Sequence, residues 1–415
     1  MLFERPKVGA TAVLISVTFE KALSPDLDEL VELSKTAGLF VVEATKVFKE
    51  KINPKSFIGK GKLEEIKQTV NKHAAGLLVI NNDLSPGQQR NIEDVINCRV
   101  VTRTELILMI FSDRALSHEG QLQVELAQLK HAQTRLVRGW AHLDRQKGGI
   151  GFRGAGERQV ELDRRMLSDR VKFYEKKLRQ IEKNRRQNRR LRQSNETQSI
   201  ALVGYTNAGK SSLFNLLSGA DALVEDKLFA TLDPTIRRAS FPGVRESILA
   251  DTVGFISQLP HQLVEAFHAT LEEVSGADLL LHVVDVSDQN FEARIQQVRD
   301  VLEQIGAHGV TELLVFNKVD LLDDLDRLKG LDKEGVCISA KSEYGLEELK
   351  KRVGSVVGVF SPYQFKLSVC DSSTRAWLYQ KSAIIEEKFE EEGYFDLMLR
   401  GDPALIRELK KRTQS

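Results

Sequence analysis

Cysteine, tryptophan, methionine and proline are all scarce in this chain, at 3, 2, 4 and 9 of 415 residues. Cys98, Cys337 and Cys370 lie far apart, are odd in number and form no CxxC pair. That excludes a disulfide framework and a cysteine-zinc site, and fits a reducing compartment. No apolar run approaches the roughly 18 residues a membrane-spanning helix needs. Met1–Pro6 shows no basic segment leading into an apolar one, so no signal peptide is expected. The expected location is the cytoplasm, without integral membrane association and with a peripheral one left open. A dominant charge is missing too: 60 Lys+Arg stand against 59 Asp+Glu, a formal net charge of +1. Any affinity for nucleic acid must then come from local clustering. What is present, 41% hydrophobic and 29% charged residues, describes a globular protein with several cores. At about 150 residues per domain, the length allows two to four domains.

The expected fold class is α/β, in four parts. Residues 1–115 predict a parallel α/β domain, with strands at Ala12–Val17, Leu39–Ala44, Gly76–Ile80 and Val100-Val101. Helices are predicted between them: one from Ser24-Pro25 to Gly38, then Lys62–His73 and Pro86–Ile96. Such alternation implies a parallel sheet covered by helices. Residues 116–197 predict a helical hairpin linker with a glycine-rich insert. There Leu167, Val171, Tyr174, Leu178 and Ile181 form a heptad seam that stops where Arg185 and Asn188 come next. Residues 198–357 return to strand–helix alternation, with strands at Ile200–Val203, Ser247–Ala250, Leu279–Val284, Leu313–Phe316 and Val336–Ile338. Residues 358–415 predict a small α+β domain: a strand through Phe365, Leu367 and Val369, a helix Thr374–Glu392, a strand Tyr394–Leu399 and a last helix from Asp402-Pro403.

Within 198–357, Gly204-Tyr205-Thr206-Asn207-Ala208-Gly209-Lys210-Ser211 matches G-x-x-x-x-G-K-[ST] between a strand and a helix. Glycines let backbone N–H groups wrap phosphates, Lys210 reaches the β- and γ-phosphates, and the Ser211 hydroxyl suits Mg²⁺. Asp251-Thr252-Val253-Gly254 ends a later strand. Its carboxylate can hold Mg²⁺ through water, and the Gly254 N–H can sense a γ-phosphate. Asn317-Lys318-Val319-Asp320 follows the next-but-one strand. Asp320 can accept from both N1–H and N2–H of guanine, a donor pair adenine lacks. Ser339-Ala340-Lys341 then brings a backbone N–H near the base O6. Four motifs in order at strand ends define a guanine-specific P-loop NTPase, a hydrolase of GTP. Phe229-Ala230-Thr231-Leu232-Asp233-Pro234-Thr235 carries two candidates for the switch threonine, Thr231 and Thr235, which spacing does not separate. Phe255 stands where many GTPases place a water-orienting glutamine, so intrinsic hydrolysis is expected to be slow.

These boxes, with Ser56–Lys62, Leu84–Asn91, Glu119–Leu129 and Gly148–Glu157, resemble the signatures of the HflX family of GTPases along essentially the whole chain. In that family phenylalanine follows the third box, so Phe255 is a family trait. The family reads Asp-Arg-Thr where this chain has Thr102-Arg103-Thr104, and commonly threonine where it has Arg158. The resemblance implies a cytoplasmic GTPase that binds the large ribosomal subunit in its GTP form and can split ribosomes. It also implies that Thr231 is the Mg²⁺-binding switch threonine, with Ser211 as the other protein ligand. Lys210, Thr231 and Gly254 would then serve catalysis. Asn207 resembles the P-loop asparagine of GTPases that use K⁺, and reads equally as an ordinary loop residue.

The basic clusters agree with an RNA partner. Residues 158–193 hold 14 Lys/Arg against 5 Asp/Glu, and the insert interleaves Gly148, Gly149, Gly151, Gly154 and Gly156 with Arg145, Lys147, Arg153 and Arg158. Such a segment can approach structured RNA closely and neutralise phosphates. The plainer readings are a flexible connector and a solvated helix face. Two other functions stay open: a GTPase acting in subunit assembly or on another structured RNA, and an RNA-associated protein that holds GTP as a structural ligand. Gly59-Lys60-Gly61-Lys62 reads as a basic loop, with a second nucleotide site as the alternative.

Overall fold

The computed structural model describes residues 9–19, 26–49, 52–139, 155–194, 197–219, 228–229, 235–244, 246–257, 273–322, 330–331, 333–357, 363–369, 371–380, 383–390, 393–399, 409 and 412. The first sheet joins β1 (Thr11–Phe19), β2 (Phe40–Lys49), β3 (Leu77–Ile80) and β4 (Arg99–Thr102) in the order β2-β1-β3-β4, all parallel. Its two faces bury separate clusters. Ala12, Leu14, Leu77 and Val79 face one, and Val13, Ile15, Leu78 and Ile80 the other. Strands buried on both faces read as continuous apolar runs, which is why they were visible in the sequence.

Helix α1 (Leu27–Thr36) is capped by Asp26, whose carboxylate accepts from the Asp28 N–H at 3.0 Å. The predicted Ser24-Pro25 start lies outside the described residues. Helix α2 (Lys60–Lys72) begins one residue after Gly59, so Gly59-Lys60-Gly61-Lys62 is a first helical turn rather than a basic loop. Helix α3 (Pro86–Ile96) carries a Ser85/Gln88 capping box. Helix α4 (Arg103–Arg114) starts directly on β4 with a second such box: Thr102 N–H donates to Glu105 at 2.9 Å, and Glu105 N–H to the Thr102 hydroxyl. Threonine caps a helix much as aspartate does, so this family departure leaves the turn intact.

Helices α5 (His118–Gly139) and α6 (Ala155–Ser194) pair antiparallel, with Lys130 facing Glu175 at 3.5 Å and Glu119 facing Arg185 at 2.9 Å. Residues 167, 171, 174, 178 and 181 are shielded along α6, as the heptad predicts, with flanking positions 168, 175 and 182, and 185 continues the row. The seam therefore extends past the point where the apolar residues stop, because an arginine stem packs and its charge meets a partner glutamate. Most of the glycine-rich insert lies outside the described residues. Its last four, 155–158, are already helical.

The second sheet has the order β10-β9-β8-β5-β7-β6. It comprises β5 (Gln198–Gly204), β6 (Thr235–Ala239), β7 (Ser247–Asp251), β8 (Leu279–Asp285), β9 (Glu312–Asn317) and β10 (Val336–Cys337). Helices α7 (Lys210–Ser218), α8 (Phe291–Gln304) and α9 (Leu346–Val357) pack on it. Strand β6 is antiparallel and at the edge, and its Arg237 and Arg238 are exposed. That polar pattern hid it from the sequence reading.

The C-terminal unit corrects one expectation. The helix predicted over Thr374–Glu392 is a short helix α10 (Ser372–Gln380) followed by a strand β12 (Ile384–Glu390). With β11 (Tyr363–Ser368) and β13 (Tyr394–Leu399) it forms an antiparallel sheet in the order β11-β13-β12. Strand β12 turns back into β13 through Gly393 at φ +82, a conformation that favours glycine. The acidic run Glu386–Glu392 resembles a helix face, but tertiary pairing against β13 overrides it.

Candidate functional site

Strand β5 is buried from Ile200 to Val203 and delivers Gly204 at the sheet's C-terminal edge. Gly204 has φ +146, and a Cβ there would lie 2.2 Å from the Val283 carbonyl oxygen, so no other residue fits. Gly209, at φ +93, caps α7, and a Cβ there would meet the Asn317 side chain at 2.2 Å. The loop between them wraps the N-terminus of α7, where free backbone N–H groups and the helix dipole favour an anion. Lys210 is buried, and its Nζ donates to the Tyr205 carbonyl at 2.7 Å. Burial lowers its pKa to about 8, while the Asp251 carboxylate acts in the opposite sense.

Four strand ends converge on this loop. Asp251 closes β7 and accepts from the Ser211 hydroxyl at 2.9 Å. A hydroxyl and a carboxylate oxygen at the head of a phosphate-binding loop suit a hard cation such as Mg²⁺, which takes few protein ligands beside phosphate oxygens and water. Thr252 donates its hydroxyl to the Leu202 carbonyl at 2.6 Å, fixing β7 to β5. Asn317, at the end of β9, donates to the Ala208 carbonyl at 2.8 Å and accepts from the Ala340 N–H at 2.9 Å. One side chain thus ties the P-loop to both base-recognition loops. Lys318, at φ 66, pairs with Asp285 at 2.6 Å. Val319 is buried and Asp320 is exposed beside it. Ser339 is buried, its hydroxyl accepting from the Ser342 N–H at 3.1 Å. Lys341 is exposed.

The switch segments pack against the N-terminal domain. Leu228, Phe229, Val253 and Ile256 are buried in the same cluster as Leu30 and Leu33 of α1, Phe111 of α4 and Val124 of α5. Phe229 adopts φ 56, uncommon for a bulky residue, and packs edge-on against Phe111 with ring centroids 4.6 Å apart. The side chains of Phe229 and Val253 therefore sit in a core, leaving their backbone as the part that can face a nucleotide. Thr235 opens β6 opposite Asp251, whereas Ala230, Thr231, Leu232 and Asp233 lie outside the described residues. Phe255 is buried with Ala201, Val203 and Val274. It packs the sheet and reaches no water.

A polar cluster completes this interface. Glu29 of α1 accepts from the Tyr205 hydroxyl, from the Ser257 N–H at 3.2 Å, from the Ser257 hydroxyl and from Arg103 at 3.0 Å. Arg103 also donates to the Ser257 carbonyl at 2.8 Å and to Asn81 at 2.9 Å. Arg294 of α8 stacks over the Tyr205 ring and pairs with Asp26 at 2.7 Å. Burial, with the Glu29 carboxylate alongside, pushes the Tyr205 phenol well above its ordinary pKa and keeps it a donor. Glu29 and Arg103 carry no local pattern that marks this arrangement in the sequence.

A parallel sheet with a P-loop after its first strand, a carboxylate at the end of the neighbouring strand and an asparagine–lysine–x–aspartate turn defines a GTPase. The family described as GTP-binding GTPase N-terminal matches residues 24–112, that described as GTP-binding GTPase Middle Region matches 114–192, and that described as 50S ribosome-binding GTPase matches 199–318. The GTPase HflX of Escherichia coli K12 is 44% identical over 405 residues, covering 96% of this chain and 95% of its own. That of Caldanaerobacter subterraneus subsp. tengcongensis is 46% identical over 391 residues, covering 92% and 89%. A crystal structure of a GTP-binding protein from the archaeon Sulfolobus solfataricus, in complex with GDP, is 27% identical with a TM-score of 0.45, covering 84% of this chain and 98% of that one. The chain belongs to the HflX family of GTPases.

Proposed function

We propose that this GTPase is a switch that binds the large ribosomal subunit in its GTP form, promotes ribosome dissociation or rescue, and leaves on hydrolysis. The observation carrying this reading is that both segments expected to respond to a γ-phosphate bury residues against the N-terminal domain: Leu228 and Phe229 from one, Val253, Ile256 and Ser257 from the other. A change at the nucleotide must therefore change how the two domains meet. The likeness of residues 199–318 to a 50S ribosome-binding GTPase supplies the partner.

In this reading the P-loop amides and Lys210 hold the phosphates, Asp320 selects guanine, and the Gly254 N–H meets the γ-phosphate. Ser211 and Thr231 hold Mg²⁺, with Asp251 acting through water. Mg²⁺ supplies charge neutralisation between the β- and γ-phosphates. Since Phe255 lies in the core, the attacking water is positioned by another group, part of it supplied by the ribosome. Asn207, exposed at φ 62, would in this reading hold K⁺ near the phosphates. Exchanging K⁺ for Na⁺ is then expected to slow steady-state GTP turnover, and equal rates in the two salts would discard that ion. The location that goes with this function is the cytoplasm, and no helix among the described residues is long and apolar enough to cross a membrane.

The decisive experiment is co-sedimentation with purified large subunits in the presence of a non-hydrolysable GTP analogue or GDP. Binding with the analogue alone is the expected result. Equal binding with both would remove the switch. No binding with either, together with capture of isolated rRNA or tRNA, would move the function to subunit assembly or another RNA.

A further inference from the structure

The N-terminal domain contributes a carboxylate and a guanidinium that both hydrogen-bond to the nucleotide machinery. Glu29 receives four hydrogen bonds, three of them from Tyr205 of the P-loop and Ser257 beyond the third box. Arg103 places one N–H₂ group against both the Glu29 carboxylate and the Ser257 carbonyl. Glu29 is 6% exposed and Arg103 4%. A buried pair of this kind holds only while its partners stay in place, since removing one leaves an uncompensated charge. Breaking the cluster therefore carries a real cost.

The intact cluster fixes the third box directly on the P-loop. The Phe255 N–H donates to the Gly204 carbonyl at 3.1 Å, and the Thr206 N–H donates to the Phe255 carbonyl at 2.8 Å. Gly254, caught between, lies so close that a Cβ on it would stand 2.7 Å from Thr206 Cγ2 and 3.1 Å from Lys210 Nζ. A γ-phosphate has to reach Lys210 from the side that Gly254 faces, and needs the Gly254 N–H turned toward it. GDP, ending at the β-phosphate, makes no such demand.

We propose that Glu29 and Arg103 are positioning residues that set the preference between GTP and GDP. Through Ser257 and Tyr205 they hold residues 251–257 in a place that admits GDP and competes with the γ-phosphate. This inference rests on the GTP-switch reading of the same site. GTP binding pulls Ser257 off Glu29 and Arg103 and loosens α1 from the G domain. By linkage, whatever detaches α1 raises the affinity for GTP by the same factor. If the competent arrangement is a minor one, the apparent affinity for GTP is reduced by its fractional population while that for GDP is not.

The test measures dissociation constants of a non-hydrolysable GTP analogue and of GDP for the full chain and for Glu29→Gln, alongside Glu29→Gln/Arg103→Gln. The double variant removes both charges together, so neither is stranded. The ratio of the two affinities is expected to shift toward GTP by about tenfold, within the range usual for coupling between sites. GDP affinity is expected to stay within about twofold, because GDP makes no demand on where residues 251–257 sit. Equal losses for both nucleotides, or an unchanged ratio, would mean the cluster only supports the fold and would overturn the proposal. Amide exchange on the wild-type chain gives a variant-free check. Residues 27–36 are expected to exchange faster with the analogue than with GDP, and equal protection overturns the proposal too. Wild-type protein that binds neither nucleotide would instead sink the GTP-site reading itself.

Discussion

Lys210→Ala is expected to weaken binding of both GTP and GDP by on the order of a hundredfold or more. The ammonium is buried and already desolvated, so its attraction to a phosphate is not diluted by water. Truncating one partner of a buried, hydrogen-bonded charge pair typically costs about 2–5 kcal/mol, and about 2.8 kcal/mol corresponds to a hundredfold. The fold itself is not expected to suffer. Burial depresses the Lys210 pKa to about 8, which marks the charged form as a net cost to the folded state rather than a support. Titration with a fluorescent guanine nucleotide, paired with a thermal unfolding scan, separates the two effects. Wild-type affinity in the variant would take Lys210 out of the phosphate site.

A second large effect is expected at the base. Asp320→Asn exchanges a double acceptor for a group with one donor and one acceptor. Guanine, which presents two donors on that edge, should lose affinity by roughly a hundredfold or more, since a site built to pair a polar edge rejects a mismatched one strongly. Xanthine carries a carbonyl where guanine carries its amino group, so XTP is expected to gain what GTP loses. The exposed position of Asp320 at the turn after β9 lets the side chain change without disturbing a core. Competition between GTP and XTP reads the exchange in one titration. A variant that still prefers GTP would show that the base is read elsewhere, with Asn317 and Ala340 as the next groups to examine.

The parts of this protein that could be read from the sequence are those where one residue type does one job. Gly204 and Gly209 are dictated by a carbonyl and an amide within 2.2 Å of where a side chain would start. Strands β1, β3, β5 and β8 are buried on both faces and so appear as nearly continuous apolar runs. Strand β6 could not be found this way, because an edge strand with exposed arginines has neither the run nor the alternation. Strand β12 was hidden by charges that suit a helix as well as a hairpin. The interdomain cluster was out of reach for a different reason. Glu29 and Ser257 are 228 positions apart, and nothing local distinguishes either from an ordinary solvent-facing polar residue. The sequence carries the chemistry of the nucleotide site in contiguous words, but its mechanical connections are spelled by residues far apart in the chain.

The long arm of the helical pair has a consequence for scale. Helix α6 runs 40 residues without a break, about 60 Å at 1.5 Å per residue, and stops three residues short of the strand that carries the P-loop. Helix α5 lies along its later part, where Lys130 meets Glu175 and Glu119 meets Arg185. Anything that grips the start of α6 and the guanine-nucleotide domain together must itself be tens of ångströms across. A metabolite or a short peptide is too small to reach both.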